Sequence, residues 1–452
     1  MLMIDNSRDI IEGGTDIIHN YTGLWTVSDY GSTPVYNSGV SGKITISRKD
    51  KDVLRKLAGR VAEIADRPAE EGKRKLWISH NSLKTVRPLV FCDPENGWNE
   101  IITRDQIKCE GELAQRWEMV LRKEIFWGES MQDDKVIEPY FDIGYTYAED
   151  SWGVNFIIHG GTNGGSYVWN APVKEFSDVD KLHFPLINID YKATQEALEV
   201  ASDIFGDLIK VRQIGVWWWS LGLTFTLALL RGLTNIMIDM IDNPKLIHRL
   251  MKILSEGTLK RLDFLEENGL LSLNTDRYIG SGGFGYTEEL PAKDFNDSKV
   301  RTIDMWGFSE SQETVGVSPQ MFEEFIFPYQ LPILKCFGLN YYGCCEPIDP
   351  RWHIIKNIPN LKRVSVSPWA NVEKMAENLQ DNYVFCWKVK PTDIATAVID
   401  EDVIRKRIKD TLNITKGCVI EIIMKDNHTI GKNPNNVIRW TQIAREEAEK
   451  IS

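Results

Sequence analysis

Hydrophobic and polar positions follow two different periods along this chain. Short apolar segments rich in β-branched and aromatic residues predict strands, and segments with an apolar residue every three or four positions predict helices. From residue 302 onward the two kinds alternate regularly, which is typical of βαβ units and a parallel sheet. The predicted strands are 87–92, 152–158, 211–219, 270–274, 302–307, 339–344, 363–367, 383–388 and 418–424.

The clearest helix starts at Asn243-Pro244, carries leucines along one face and stops at Gly269. Eight or nine strands with intervening helices fit a closed (β/α)8 TIM barrel of the α/β class better than an open sheet. Residues 76–452 would form this barrel, and residues 1–75 a mostly helical extension. That extension would pack on the barrel or on a second subunit, which allows a homodimer. Further helices are predicted at 50–65, 319–337, 372–379, 400–412 and 434–450.

The composition of the chain limits the classes of partner that it could bind. The 53 basic and 65 acidic residues give a net charge of -12, which disfavours a nucleic-acid partner. The longest uncharged run, 214–230, falls short of the ~20 residues that span a bilayer, so no membrane association is predicted. No secretory signal is visible at the amino terminus, which predicts a cytoplasmic protein. The seven cysteines have no regular spacing and are expected to be thiols or metal ligands.

Residues capable of metal binding or proton transfer follow several of the predicted strands. A barrel enzyme collects its chemistry at the carboxyl ends of its strands, so these side chains are expected to share one rim. The residues are Cys344, Cys345, Glu346, Trp369, Lys388, Asp426 and His428.

Adjacent thiols followed by a carboxylate suit Zn²⁺. Neighbouring residues of a strand point to opposite faces, so one thiol would face the rim unless the strand has already ended and turned. Cys345 is favoured because Glu346 begins the loop. His428 could complete the site, with Asp426 as ligand or as the group that orients the imidazole. The alternatives are two buried thiols beside a solvated Glu346, and a His428 that caps the last helix.

Glu310 follows another predicted strand and could be a further ligand, a proton donor or merely solvated. Residues 280–285 (GSGGFG) superficially match a phosphate cradle but lack the Lys-Ser/Thr of a P-loop, and a flexible loop over the barrel mouth is predicted instead. Asp276 precedes this loop and could contact substrate. Trp217 and Trp219 could wall an aromatic pocket, with Trp369 and Lys388 as further lining.

From residue 173 onward the chain resembles the uroporphyrinogen decarboxylase-like superfamily. The family is a (β/α)8 barrel, and its members include the decarboxylase and zinc-dependent methyltransferases that exchange methyl groups with corrinoid proteins. The decarboxylase branch carries an Arg-rich segment ending in Arg-Gln-Ala-Gly-Arg, which this chain lacks. The matching segments are 176–182 (FSDVDKL), 230–232 (LRG), 242–244 (DNP), 317–325 (VSPQMFEEF) and 328–329 (PY).

The methyltransferase branch has a His-x-Cys where this chain has Gly343-Cys344-Cys345, and a late Cys close to residues 426–428. The resemblance therefore implies an O-demethylase or methylamine type of first methyltransferase. Its substrate would be a small methylated compound such as a methoxylated aromatic, and the acceptor the Co(I) corrinoid (cobalamin type) of a partner protein. Zn²⁺ on Cys345 or Cys344 and His428 is implied, with Glu310, Glu346 or Asp426 assisting. A metal-independent decarboxylase and a non-catalytic ligand-binding barrel are the alternatives.

Overall fold

The computed structural model describes residues 10–12, 44–150, 152–154, 157–160, 167–296 and 299–451. Most of the predicted extension and part of the predicted strand 152–158 lie outside the described residues. The strands are β1 Ile10–Glu12, β2 Leu89–Cys92, β3 Tyr140–Gly144, β4 Tyr147–Glu149, β5 Ile157–Gly160, β6 Tyr167–Asn170, β7 Ile187–Ile189, β8 Lys210–Ile214, β9 Trp306–Ser309, β10 Leu339–Tyr342, β11 Leu361–Val366, β12 Val384–Lys388 and β13 Val419–Met424.

The helices begin where the sequence supplies capping residues. Ser47 accepts a hydrogen bond from the backbone N–H of Asp50 at 3.0 Å, and Ser318 does the same for Met321 at 3.2 Å. The α-helices are α1 Arg48–Ala65, α2 Pro68–Asn81, α3 Trp98–Ile101, α4 Glu112–Phe126, α5 Tyr191–Phe205, α6 Thr224–Arg231, α7 Leu233–Asp242, α8 Pro244–Glu267, α9 Pro319–Phe325, α10 Phe327–Leu334, α11 Trp352–Ile355, α12 Val372–Leu379, α13 Glu401–Ile414 and α14 Asn435–Glu449.

The largest sheet has six parallel strands in the order β2-β13-β12-β11-β10-β9. A second parallel pair joins β3 to β8. Every residue of β10, β12 and β13 is buried, as expected for a parallel sheet covered on both faces. The α/β class is therefore confirmed, and the carboxyl ends of six strands meet at one edge.

The structure does not confirm the closed barrel. The described strands form no backbone ladder between the six-stranded sheet and the β3-β8 pair. Residues 270–274, predicted as a strand, run between them without strand pairing. Ser272 Oγ accepts from Gly215 N at 2.9 Å on one side, and Asn274 Nδ2 donates to Trp306 O at 2.9 Å on the other.

Three further predicted barrel strands differ from the structure. Residues 302–304, predicted as the start of a strand, form a 3₁₀ turn, so β9 begins at Trp306. The segment predicted at 211–219 ends at Ile214, because the chain turns there and the Trp217 indole donates to Leu270 O at 2.9 Å. The strand predicted at 152–158 is replaced by β5, which pairs antiparallel with β1 and β6. The strand parallel to β8 is β3, for which no prediction was made.

Among the described residues no single helix has both the length and the apolar composition to cross a membrane. Only α6 and α7 taken together, bent by 92°, would meet those two requirements.

Candidate active site

The carboxyl ends of the six parallel strands place several of the predicted residues close together. Glu310 follows β9, Cys344 and Cys345 follow β10, Lys388 ends β12 and Asp426 follows β13. This edge is where an α/β enzyme carries its reactive groups.

Both thiols of the cysteine pair lie on the same side. Strand β10 ends at Tyr342 and Gly343 turns the chain with φ 96°, so the alternation expected for a strand no longer applies. The two sulfur atoms lie 3.5 Å apart, and Cys345 Sγ lies 3.6 Å from Asp426 Oδ2. The Cys344 thiol, burial and the Asp426 carboxylate all raise the pKa of Cys345.

Glu346 faces inward and stabilises the loop. Its carboxylate is buried, and it accepts from the backbone N–H of Ser311 at 2.8 Å and of Cys344 at 2.9 Å. These bonds join the loop after β9 to the loop after β10. Both carboxylate oxygens are therefore occupied, and the alternative of a solvated Glu346 is wrong.

Substituting Glu346 by Gln is expected to lower the free energy of unfolding by about 1–3 kcal/mol, because one amide N–H would face a buried backbone N–H. Urea denaturation followed by circular dichroism measures this. Glu377→Gln, on the exposed face of α12, should leave the unfolding curve unchanged. Equal unfolding curves for the two variants would show that Glu346 does not stabilise the loop.

The buried Glu310 forms a carboxyl pair with the half-buried Glu313. Ser220 Oγ lies 3.0 Å from Glu310 Oε1, and Gln312 N donates to Glu310 Oε2 at 2.9 Å. Thr224 Oγ1 donates to Glu313 Oε2 at 2.7 Å. Burial and the neighbouring Glu313 and Glu346 carboxylates hold the pKa of Glu310 well above its usual range, and burial raises the pKa of Glu313 as well. The raised pKa favours the protonated form of Glu310, and its burial shows that it is not merely solvated.

Two residues that sequence reasoning missed complete this edge. Lys425 Nζ lies 2.9 Å from Glu95 Oε1, 3.9 Å from Asp426 Oδ1 and 3.4 Å from Tyr278 Oη. Burial, together with Asp426 and Asp93, raises the pKa of Glu95 to about 7 despite the attraction of Lys425. The Asp93-Pro94 turn directly after β2 is the sequence feature from which Glu95 could have been identified.

Glu95 and Asp426 share an uncommon backbone conformation, with φ 49° and φ 62°. Left-handed backbone in a residue with a side chain is strained and concentrates at functional sites. Both residues stand directly beside Lys425.

Of the predicted site residues that the structure describes, three form no hydrogen bond or ion pair with the thiols. Trp369 is 73% exposed, and Asp276 is paired with Arg212 Nη1 at 2.5 Å. His428 is exposed, and its backbone carbonyl accepts from Asn96 Nδ2 at 3.2 Å.

The glycine segment, Gly280–Gly285, was predicted to be a flexible loop over the barrel mouth, and this prediction is wrong. Gly283 N donates to Glu421 Oε1 at 3.0 Å, and Arg363 Nη1 donates to Gly283 O at 3.1 Å. A Cβ on Gly283 would lie 2.2 Å from the Trp77 ring. Glycine is needed here because its backbone touches buried side chains, so the segment fills the interior behind the site.

Hydrogen bonds and charges fix the glycine segment to the sheet. Lys388 Nζ donates to the carbonyl of Ser281, and Ser281 Oγ lies 3.2 Å from Tyr341 Oη. Although burial raises the pKa of a carboxyl, the Arg363 guanidinium lowers that of Glu421 to about 2. Lys388 therefore holds this segment in place beside the thiols.

A cavity of about 640 Å³, counting its open mouth, borders the glycine segment. Trp219 and Phe308 in its wall are one and two residues from Ser220 and Glu310, and Tyr278 in its wall contacts Lys425. The cavity therefore shares Tyr278 with the Lys425 cluster, and two of its wall residues are close to the carboxyl pair in sequence. Its aromatic lining is Trp217, Trp218, Trp219, Tyr278, Trp306 and Phe308.

No protein-family model matches the chain, and no curated protein matches it. One similar solved structure is a methyltransferase from Methanosarcina mazei, at 12% identity and a TM-score of 0.49, with 83% of this chain and 98% of that chain covered. A likeness this distant establishes neither fold nor activity. The resemblance to the uroporphyrinogen decarboxylase-like superfamily stays a prediction.

Proposed function

We propose that the protein is a methyltransferase that removes the methyl group of a small methoxylated aromatic and passes it to the Co(I) corrinoid of a separate partner protein, on a scaffold of the (β/α)8 type. The observation that carries this proposal is the Glu310 and Glu313 pair, whose pKa values are raised, together with an aromatic-walled cavity whose residues Trp219 and Phe308 are close to Ser220 and Glu310 in sequence. An aromatic ether fits such walls, and its cleavage needs an acid.

In the proposed reaction the bond between the methyl carbon and the ether oxygen breaks. The methyl carbon goes to the reduced corrinoid, which supplies the electron pair, and the oxygen leaves with the bonding electrons as a phenolate. That oxygen takes a proton and becomes a phenol. Glu310 supplies the proton, and the Ser220 hydroxyl, 3.0 Å from Glu310 Oε1 and next to Trp219, is placed to relay it.

The burial of Glu310 favours its action as the acid. Glu310 is 1% exposed, so water competes little for its proton and neutralisation of the phenolate is strongly favoured. The raised pKa favours the protonated form of the acid, which is the form that the reaction needs.

The resemblance also implies zinc. Among the described residues, no group of three or more His, Cys, Asp and Glu is arranged to hold a metal ion. Cys345 has Cys344 and Asp426 as neighbours, whereas His428 is exposed. The expected set with His428 is therefore not assembled, and a zinc ion at Cys345 would need a further donor brought to the thiols. Zinc binding stays a prediction.

The proposed activity is tested anaerobically with methoxybenzene derivatives and cob(I)alamin as acceptor. Phenol and methylated cobalamin should appear in equal amounts. Carbon dioxide released from a carboxylated substrate without any corrinoid would instead favour the decarboxylase alternative. Absence of phenol with cob(I)alamin and with a corrinoid protein as acceptor would contradict the proposal.

Substituting Cys345 by Ser is expected to reduce bound zinc at least about tenfold, since a thiolate binds Zn²⁺ far better than a hydroxyl does. Metal content per chain is measured by elemental analysis after purification. The control is Cys336→Ser, because that thiol lies beyond α10 and contacts the carbonyl of Pro332. Wild-type protein that is fully active without metal would show that zinc has no part in the reaction.

A further inference from the structure

The adjacent thiols of Cys344 and Cys345 form a dithiol that no step of the proposed reaction uses. Their sulfur atoms lie 3.5 Å apart on one side of the chain. Cys344 is 2% exposed, whereas Cys345 is half-buried. The other half-buried cysteines, Cys336 and Cys418, contact backbone carbonyls instead. The pair therefore offers two sulfur donors to a ligand, where each of these other cysteines offers one.

The backbone holds the dithiol in a fixed shape. Cys344 N donates to Glu346 Oε2 at 2.9 Å, and the Ser365 hydroxyl donates to Cys344 O at 2.9 Å. Adjacent Cα atoms are about 3.8 Å apart, whereas the Cα atoms joined by a disulfide are usually about 4.4–6.8 Å apart. Direct closure of the pair would therefore strain a backbone that is hydrogen-bonded on both sides of Cys344. A single atom that bridges the two sulfurs avoids this strain.

The surroundings of the dithiol favour a bridging atom that leaves no charge behind. Cys345 Sγ lies 3.6 Å from Asp426 Oδ2, and Cys344 is buried. Two thiolates beside a carboxylate would repel one another and would be costly to bury. A trivalent arsenical of the type RAs(OH)2 reacts with neutral thiols, because each thiol proton leaves with an oxygen of the arsenical as water.

We infer that Cys344 and Cys345 together bind monosubstituted trivalent arsenicals as a cyclic dithioarsonite. Two As–O bonds and two S–H bonds break, two As–S bonds form, and two molecules of water leave. Arsenic stays trivalent, so no oxidant or reductant is needed. The dithiol fills both exchangeable positions of such an arsenical, and the carbon substituent stays on arsenic. The inference concerns the thiols themselves and does not depend on the proposed function.

The test uses the full chain with a metal chelator present and methylarsonous acid as the probe. Intact mass spectrometry should show one adduct per chain, in which the protein gains a CH3As group and loses two hydrogen atoms. The adduct should survive excess glutathione, a monothiol that displaces arsenic from single cysteines. Excess 2,3-dimercaptopropanol, a dithiol, should remove it. Peptide mapping should place the adduct on the peptide that contains both Cys344 and Cys345.

Two serine variants measure the contribution of the second thiol. Cys345→Ser should lower the affinity for the arsenical about 100-fold or more, because the second As–S bond closes within one chain at a high effective concentration. Cys344→Ser should have the same effect. Cys336→Ser is the matched control, since it removes a half-buried thiol that contacts a carbonyl, and it should keep the wild-type affinity. Affinities are measured by competition with glutathione, and circular dichroism checks that each variant is folded.

A wild-type adduct that glutathione removes, or one that maps to other cysteines, would overturn the inference. An adduct of wild-type affinity in either Cys344→Ser or Cys345→Ser would also overturn it. Mapping of the wild-type adduct decides the question by itself if a serine variant does not fold. The activity assay of the proposed function contains no arsenical, so the two proposals fail or stand separately.

Discussion

Gly283→Ala is expected to lower the free energy of unfolding by about 3 kcal/mol or more, the upper range for overpacked cores. The added methyl would lie 2.2 and 2.4 Å from two carbons of the Trp77 ring and 2.8 Å from Glu421 Oε2. Trp77 is fully buried and donates to Asp134 O at 2.7 Å, so it has no room to withdraw. Urea denaturation followed by circular dichroism measures the loss.

The matched control is Gly72→Ala. Gly72 is exposed within α2, and a Cβ there has no neighbour within 4 Å. Alanine should raise stability by up to about 1 kcal/mol through helix propensity. If both substitutions left the midpoint unchanged or raised it, the glycine segment would not be packed as described.

Glu310→Gln is expected to reduce the rate of demethylation about 100-fold or more, the usual contribution of a positioned general acid. The amide keeps the shape of the side chain but carries no transferable proton. In the wild type the rate should fall as pH rises through the raised pKa of Glu310, and this decline should be missing in the variant. Initial rates of phenol formation across pH measure both effects.

Glu323→Gln, on the exposed side of α9, serves as the control and should keep the wild-type rate and pH profile. A Glu310→Gln protein with the wild-type rate would rule out Glu310 as the acid.

The stability of the folded protein gives a second measurement of the Glu310 pKa. The folded state holds the Glu310 proton more tightly than the unfolded chain, so the free energy of unfolding should fall as pH rises between the two pKa values. The substitution should remove that dependence.

Sequence periodicity predicted the last third of the fold well because each strand there is a continuous apolar run bounded by turn residues. Helix α12, Val372–Leu379, matches its prediction at both ends. The middle third of the fold was harder to predict, because apolar β-branched segments suit a parallel barrel and an antiparallel hairpin equally. Strand β5 is such a case. The tryptophans at 217–219 extended a predicted strand that ends earlier, because aromatic residues favour strands and cavity walls alike.

The candidate site was predicted in part. Placement at strand ends brought Cys344, Cys345, Asp426 and Glu310 to one edge of the sheet. It did not reveal which way each side chain turns. Glu346 points inward because it accepts hydrogen bonds from two backbone N–H groups. No local sequence pattern predicts such bonds. The interior position of the glycine segment depends on Trp77, Arg363 and Glu421, which lie far from it in sequence.

Helix α2 supports the interior of this protein rather than packing on its outside. It supplies Trp77, which packs on Gly283, and Asn81, whose amide donates to Phe284 O at 2.9 Å and to Tyr286 O at 2.8 Å. The predicted boundary at residue 75 passes through this helix. A shortened protein intended for crystallisation should therefore begin before Pro68, since a later start would remove the support from beneath the cavity wall.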